Sequence, residues 1–235
     1  MRAESAVAVV VQARMSSSRL PGKVLADLGP GTTLEVLARR LRGLTEADSV
    51  VLATSIAPDD DPVAESGEQL GLAVVRGPLD DVLERYRLAA AEAACDAVVR
   101  ITADCPFSEP AVIDRLIRVW RDSELDYVWN TREPRTFPDG LDAEVVSRSA
   151  LDEAAAETRE PYDREHVTPF VRNRPDRFPQ GSLRLEPPSR TVKLSLDTAE
   201  DLETIRSFLA QVGPDADLAR IVAAAGGGPS RMVVD

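Results

Sequence analysis

Short apolar runs alternate along this chain with segments whose apolar residues recur every three or four positions. The runs predict β-strands, because a strand buried on both faces of a parallel sheet needs no polar alternation. They lie at residues 6–11, 50–53, 72–75, 98–102, 127–129 and 192–196. The periodic segments between them predict four amphipathic helices. One follows a capping box at residues 32–35 and another is entered through Pro110, while the other two have apolar stripes within residues 82–90 and 202–209. Strands that alternate with helices favour parallel βαβ units, and therefore a three-layer α/β/α sandwich.

The alternation breaks between residues 130 and 175, where prolines and paired charges dominate. We interpret this segment as an excursion from the core that covers a ligand site or a partner subunit. Residues 1–225 are expected to form a single domain. The glycine- and proline-rich segment after residue 225 predicts a flexible tail over residues 226–235.

The loop after the first apolar run combines three cations with three serines. Arg14, Arg19 and Lys23 supply the charge, and residues 16–18 supply the hydroxyls. Loops at the carboxyl end of a first strand bind ligands in open α/β sheets, and this composition suits phosphate oxygens. The segment has neither the Walker spacing nor a Gly-x-Gly-x-x-Gly pattern. It therefore predicts a triphosphate-binding loop of another kind.

The charge balance limits the partners of the chain. The formal net charge is −12, although residues 1–42 hold seven cations and three acids. A largely acidic surface repels nucleic acid and anionic membranes, so the expected partner is a small polyanion held locally. The sequence contains no apolar stretch of ~18 residues and no pattern typical of a secretion signal. Cys95 and Cys105 lack metal-type spacing, which favours reduced thiols in a cytoplasmic protein.

Two aspartates follow predicted strands. Asp104 comes after the run at 98–102, and Asp197 comes directly after the run at 192–196. Strand ends of a parallel sheet meet at one edge, where two carboxylates can hold a hard cation such as Mg²⁺. The residues alone leave an alternative open, in which Asp197 or Thr198 caps the helix that follows.

Six blocks, taken together, resemble a known enzyme family. They are residues 12–23 (QARMSSSRLPGK), 76–86 (RGPLDDVLERY), 100–106 (RITADCP), 135–142 (RTFPDGLD), 164–169 (REHVTP) and 196–202 (LDTAEDL). In this order they resemble the cytidylyltransferases that activate acidic sugars, in particular the SpsF-type branch of spore coat polysaccharide biosynthesis. That branch is related to acylneuraminate and 3-deoxy-manno-octulosonate cytidylyltransferases. The chain departs from the pattern at Ala199, where the family usually has proline.

The resemblance implies a GT-A-like Rossmannoid nucleotidyltransferase with a dimerisation arm at residues 130–175. The implied reaction transfers CMP from CTP to an acidic sugar or similar small acceptor and releases pyrophosphate. The implied cofactor is Mg²⁺, held by Asp104 and Asp197. The implied catalytic residues are Arg14, Arg19, Lys23 and Asp104. The implied nucleotide-binding residues are Gln12, Ala13, Arg14, Ser17, Arg19, Lys23, Ala53, Thr54, Arg76, Asp80 and Asp104. The candidate acceptor-binding residues are Arg135, Asp139, Asp142, Glu144, Glu165 and His166.

Several alternatives stay open at this stage. Asp80 is equally suited to capping the helix that it precedes, and the acceptor candidates are equally suited to surface or dimer contacts. A GT-A-type glycosyltransferase would use a nucleotide sugar and an Asp-x-Asp motif, which the block around Asp104 lacks. A non-catalytic nucleotide-binding protein would bind CTP without consuming it. Release of pyrophosphate from CTP in the presence of an acceptor distinguishes these functions.

Overall fold

Eight strands form one sheet in the computed structural model, which describes residues 2, 4–189 and 192–235. The strands are β1 (Val7–Gln12), β2 (Ser49–Ser55), β3 (Ala73–Gly77), β4 (Ala97–Thr102), β5 (Tyr127–Trp129), β6 (Glu144–Ser147), β7 (Gln180–Glu186) and β8 (Arg231–Val234). Their order is β3-β2-β1-β4-β6-β5-β7-β8. Strands β6 and β8 run antiparallel to their neighbours, and the other strands share one direction. The predicted, mostly parallel sheet is confirmed.

Helices cover both faces of this sheet. They are α1 (Thr33–Leu41), α2 (Asp61–Gln69), α3 (Val82–Glu92), α4 (Pro110–Arg121), α5 (Arg148–Glu157), α6 (Pro161–His166), α7 (Pro169–Arg172), α8 (Ala199–Val212) and α9 (Leu218–Ala224). In β1, Val9 and Val11 pack in the same apolar cluster as α1 and α4. Val10 points to the opposite face and packs with α3 and α5. The three-layer α/β/α sandwich is therefore confirmed.

The predicted helices begin where their sequence signals place them. Thr32 and Glu35 form the expected capping box of α1, and Pro110 opens α4. A second capping box, formed by Thr198 and Asp201, opens α8. Among the described residues, no helix is long and apolar enough to cross a membrane.

The segment at 192–196 is not a regular strand, and this prediction is wrong. Its one β-bridge joins Lys193 to Asp139. Leu194 and Leu196 alternate as a strand would, but they pack against α8 instead of entering the sheet. The amide of Leu196 donates a hydrogen bond of 2.8 Å to the carbonyl of Asp104. This contact brings the two chain segments that carry the aspartates side by side.

The excursion predicted at residues 130–175 is only partly an excursion. Strand β6 lies inside the sheet between β4 and β5, and its Val145 and Val146 are fully buried. Four residues among charges and prolines are too few to show a strand pattern in sequence. The remainder of the segment forms α5, α6 and α7, and both α5 and α6 contact α3.

The end of the chain also differs from its prediction. Residues 231–234 form β8, which pairs with β7 at the edge of the sheet, so the expected flexible tail is wrong there. The amide of Asp235 continues the pairing with a hydrogen bond of 2.8 Å to the carbonyl of Ser182. An edge strand of this kind is held mainly by backbone partners, and side-chain composition gives little indication of it.

Candidate active site

The loop after β1 is closed on itself by backbone contacts. The amide of Gly22 donates to the carbonyl of Met15 at 2.9 Å, and the amide of Met15 donates to the carboxylate of Asp60 at 2.6 Å. Gly22 has a φ of +72°, a left-handed conformation that strains any residue with a Cβ atom. Asp60 is buried and comes from a turn far along the chain, so the loop sequence alone gave no indication of it.

Lys23 bridges the two predicted metal-binding aspartates. Its Nζ donates to Oδ2 of Asp104 at 2.5 Å and to Oδ1 of Asp197 at 3.0 Å. The side chain of Lys23 is 12% exposed, and those of Asp104 and Asp197 are 23% and 20% exposed. The structure therefore brings the carboxylates and the cationic loop together at one edge of the sheet, as the sequence predicts.

The pKa values at this cluster reflect the competition between burial and charge. Burial lowers the pKa of Lys23, but the charge of Asp104 and the hydrogen bonds to both aspartates outweigh it, so the pKa lies above its ordinary value. Burial raises the pKa of Asp197, but the hydrogen bond and charge of Lys23, with a smaller effect of Lys193, hold it below its ordinary value. Both groups are therefore charged at neutral pH.

Further cations surround Asp197. A guanidinium nitrogen of Arg19 lies 2.9 Å from Oδ1, and Nζ of Lys193 lies 3.2 Å from Oδ2. Lys193 also contacts Asp201, the second member of the capping box of α8, at 2.6 Å. Helix capping, the alternative that the sequence left open for Asp197 or Thr198, is carried out by Thr198, which caps α8. The carboxylate of Asp197 does not cap the helix and instead faces the loop, where it pairs with Arg19 and Lys23.

Two cavities meet at this cluster. The loop-side cavity has a volume of about 340 Å³ and is bordered by the loop at 12–24, by Asp197 and by α6. The second cavity has a volume of about 640 Å³ and extends along β4, β5 and the segment at 131–142. Arg100, Thr102 and Asp104 border both. A group that passes between ligands in the two cavities must cross this shared wall.

A family model described as cytidylyltransferase matches residues 8–219. The chain belongs to the cytidylyltransferase family. It is 32% identical over 224 residues to the spore coat polysaccharide biosynthesis protein SpsF of Bacillus subtilis (strain 168). The aligned region covers 91% of each chain. A cytidylyltransferase structure from Leptospira borgpetersenii serovar Hardjo-bovis (strain JB197) matches with a TM-score of 0.89 and 29% identity over 94% of each chain.

A CMP:2-keto-3-deoxy-manno-octonic acid synthetase, solved in complex with CTP, has the same fold. It matches with a TM-score of 0.66 and 17% identity, over 88% of this chain and 99% of that chain. The predicted resemblance to SpsF-type cytidylyltransferases and the predicted class of enzyme, a CTP-using nucleotidyltransferase, are both confirmed.

Most of the predicted nucleotide-binding residues of the cytidylyltransferase border the loop-side cavity. They are Gln12, Ala13, Arg14, Ser17, Arg19, Lys23 and Asp104. Ala53, Thr54, Arg76 and Asp80 border neither of the two cavities. The carbonyl of Ala53 instead supports the start of the loop, where it accepts the amide of Ala13 at 3.1 Å.

Arg76 and its neighbours have contacts that differ from those expected for a base pocket. Arg76 donates to the carbonyls of Ser55 and Ala57 at 2.7 and 3.0 Å and pairs with Asp61 at 2.7 Å. Asp80 is exposed, and α3 is capped by Asp81. The capping role considered for Asp80 is therefore wrong by one residue. Capping signals in adjacent aspartates do not show which of them reaches the helix amides.

The acceptor candidates divide between the two cavities. Arg135, Asp139, Asp142 and Glu144 border the larger cavity. The carboxyl of Asp142 is hydrogen-bonded to Arg135, yet its burial keeps its pKa above the ordinary value. Asp139 lies 3.9 Å from Arg135.

Glu165 and His166 border the loop-side cavity instead of the larger one. Glu165 pairs with Arg14 at 3.2 Å, and the ring of His166 lies 4.4 Å from that of Tyr162. Both residues belong to α6, which is followed by its C-cap Val167, a residue with a φ of +72°. The ion pair between Glu165 and Arg14 joins this helix to the loop after β1.

Several residues that border the larger cavity were not anticipated as site residues, among them Arg132, Arg172 and Trp129. Arg132 and Arg172 make no side-chain hydrogen bond or ion pair with any residue that the structure describes. The indole nitrogen of Trp129 is buried and lacks a partner there too. Arg172 is at the end of α7, and nothing in its local sequence distinguishes it from the chain's many surface arginines.

The donor set suits a divalent cation only in part. Over residues 2, 4–189 and 192–235, no group of three or more acidic, histidine or cysteine side chains is clustered as a metal site would require. Two carboxylates do converge on Lys23, and carboxylate oxygens are the protein ligands that Mg²⁺ prefers. Such an ion commonly completes its coordination with substrate phosphates and water. Asp104 and Asp197 therefore fit a metal that binds together with a triphosphate.

Proposed function

We propose that this cytidylyltransferase transfers CMP from CTP to an acidic sugar or a similar small acceptor and releases pyrophosphate, in the synthesis of a polysaccharide or glycoconjugate. One observation carries the proposal. A cavity bordered by the cationic loop and a second cavity with unpaired cations meet at Asp104. Such an arrangement suits two ligands that react with each other at the shared wall.

The loop-side cavity provides the charge that a triphosphate needs. Arg14, Arg19 and Lys23 are cationic, and the serines at 16–18 border the same space. As an acceptor oxygen attacks the α-phosphorus, the bond to the bridging oxygen breaks and pyrophosphate carries away the electron pair. Cations near that leaving group lower the free energy of the transition state. The reaction therefore depends mainly on positioning and on neutralisation of charge.

An anionic acceptor is supported by the balance of charge in the larger cavity. Arg135 is bound to Asp142, and Arg100 is bound to Glu144. Arg132 and Arg172 have no such partner among the described residues. An unpaired cation beside a cavity is best satisfied by an anionic ligand, which a carboxylate of the acceptor would supply.

We further propose Mg²⁺ as the cofactor, held by Asp104 and Asp197. When bound, it would neutralise charge on the phosphate oxygens of CTP. Lys23 lies between these carboxylates and neutralises part of their charge. We also propose that the arm at 130–175 forms the contact of a cytoplasmic homodimer. The exposed Tyr162 on α6 supports that contact, and light scattering of the pure protein tests it.

The experiment that tests the function is incubation with each nucleoside triphosphate, Mg²⁺ and a panel of sugar acids. The panel includes 3-deoxy-manno-octulosonate and N-acetylneuraminate, and products are weighed by mass spectrometry. We expect pyrophosphate and a CMP-linked acceptor with CTP, and no such product with UTP or GTP. A sugar-nucleotide substrate consumed without pyrophosphate would favour a glycosyltransferase. Binding of CTP without turnover on any acceptor would favour a regulator.

A further inference from the structure

Arg100 is the one cation that borders both cavities among the described residues. It lies in β4, two residues before Thr102 and four before Asp104, which are the other residues of the shared wall. The group that is transferred must lie where the two ligands meet. On the proposed function, on which this inference rests, that group is the α-phosphate of CTP.

The guanidinium is held in place by a buried carboxylate. Nη1 of Arg100 donates to Oε2 of Glu144 at 3.2 Å. Glu144 also accepts the hydroxyl of Tyr127 at 2.7 Å and that of Thr168 at 3.1 Å. Three donors thus fix a carboxylate whose side chain is 7% exposed. Glu144, predicted to bind the acceptor, is therefore occupied in orienting Arg100.

Most of the hydrogen-bonding capacity of Arg100 is unused. A guanidinium has five N–H donors, and within the described part of the chain one bond, to Glu144, is formed. Its Nε is buried without a partner. Buried polar groups are nearly always paired, and because Arg100 borders both cavities its free donors suit a ligand with acceptor oxygens. Arg85 also has unpaired N–H groups, but it borders neither cavity.

A buried arginine with a purely structural role has different contacts in this same protein. Arg40 binds Glu109 and also donates to the carbonyls of Ser108, Pro214 and Ala216. Its donors are spread over four acceptors, and both side chains of the ion pair are almost fully buried. Arg100 has the partner that fixes it but lacks the others, which leaves its remaining edge for a ligand.

We propose that Arg100 is a catalytic residue that binds the non-bridging oxygens of the α-phosphate. The planar guanidinium matches two oxygens of a phosphate better than an ammonium does. Charge on these oxygens changes as the acceptor oxygen adds and pyrophosphate departs, and a donor fixed by Glu144 need not reorganise. Glu144 acts through Arg100 and is a positioning residue.

Binding measurements test the contact without an acceptor. Calorimetry compares the Kd of CMP and of cytidine in the wild type and in Arg100→Ala, because the two ligands differ by the α-phosphate. We expect the Kd of CMP to rise about 10-fold or more, as for loss of a charged hydrogen bond, and the Kd of cytidine to stay the same. Unchanged affinity for CMP in a folded Arg100→Ala protein overturns the inference.

Turnover measurements give a second readout with whichever acceptor of the panel the wild type uses. We expect Arg100→Ala to lower kcat by roughly 10²- to 10³-fold, with little change in the KM of the acceptor. Arg100→Lys keeps the charge and is expected to restore the affinity for CMP more than it restores kcat. If the wild type uses no acceptor, the proposed function fails, while the binding comparison still decides the role of Arg100.

Two controls separate this role from a loss of folding. Arg121→Ala removes an arginine of similar exposure that pairs with Glu46 and Asp48 away from both cavities, and it is expected to bind CMP normally. Glu144→Gln retains an oxygen that can accept the hydroxyl of Tyr127 but removes the charge that fixes Arg100. It is expected to lower kcat more than it weakens CMP binding. Equal loss of CMP affinity in Arg100→Ala and Arg121→Ala would assign both effects to the fold and contradict the inference.

Discussion

Replacement of Lys23 by methionine removes the cation that joins the two aspartates while leaving a side chain of similar length. In the wild type, Nζ of Lys23 contacts Asp104 at 2.5 Å and Asp197 at 3.0 Å. The variant leaves these carboxylates close together without the charge between them. Asp197 still has Arg19 and Lys193 as partners, whereas Asp104 loses its only ion pair within the described residues.

The size of the effect follows from these contacts. A hydrogen bond to a charged group contributes about 1.5–3 kcal/mol, and the remaining cations offset part of the loss at Asp197. We expect the free energy of unfolding to fall by about 2 kcal/mol, which corresponds to roughly 4–8 °C in Tm for a chain of this size. Loss of one cation beside the triphosphate is expected to lower kcat by about 10²- to 10³-fold.

The assay is steady-state release of pyrophosphate, with thermal unfolding of the same samples. Lys193→Met is the matched control, because Lys193 is the only other lysine in the sequence and also contacts Asp197. Lys193 borders neither cavity and is 39% exposed. We expect its loss to change kcat by less than about threefold, as for a surface ion pair. Equal losses of kcat in the two variants, or none in Lys23→Met, would refute this reasoning.

The remaining predictions concern stability. Glu109→Ala leaves Arg40 buried without its partner, and chemical denaturation is expected to show a loss of about 3–5 kcal/mol without a change in kcat of the folded fraction. Deletion of residues 231–235 removes β8 and the contact of Met232 with the core, so we expect a loss of about 2 kcal/mol by the same method, again with unchanged kcat. Asp197 has a pKa below its unfolded value, so its contribution to stability is present above that value and is lost as the pH falls below about 4. Asp197→Asn is therefore expected to show a smaller fall in stability in acid than the wild type, and an identical acid titration would contradict the assignment.

The central part of the fold was predictable because its signals are local and strong. An uninterrupted apolar run gave β1, and capping residues gave the starts of α1 and α4. The missed strands β6 and β8 have only four residues each, and their pairing partners are distant in sequence. The run at 192–196 resembled a strand because Leu194 and Leu196 alternate, but α8 covers them and the sheet does not. Periodicity identifies which residues are buried without identifying what buries them.

The placement of the candidate site residues was predictable where position along a strand determined it. Asp104 and the loop at 12–23 lie close together, as expected, because both follow strands that are neighbours in the sheet. Asp197 lies beside them for another reason, because the backbone of Leu196 is hydrogen-bonded to that of Asp104. Contacts that depend on side-chain direction were not predictable. Arg76 reaches the carbonyls beside β2 and Glu144 turns inward to hold Arg100, and no sequence pattern separates either from an exposed charge.

Turnover by the Asp104→Ala variant tests the central claim most directly. Asp104 contacts Lys23 and borders both cavities, so the account requires its carboxylate for transfer of CMP. With CTP, Mg²⁺ and an acceptor used by the wild type, we predict that Asp104→Ala forms no detectable CMP-linked product while its far-UV circular dichroism stays that of the wild type. Pyrophosphate release at the wild-type rate by this variant would contradict the account.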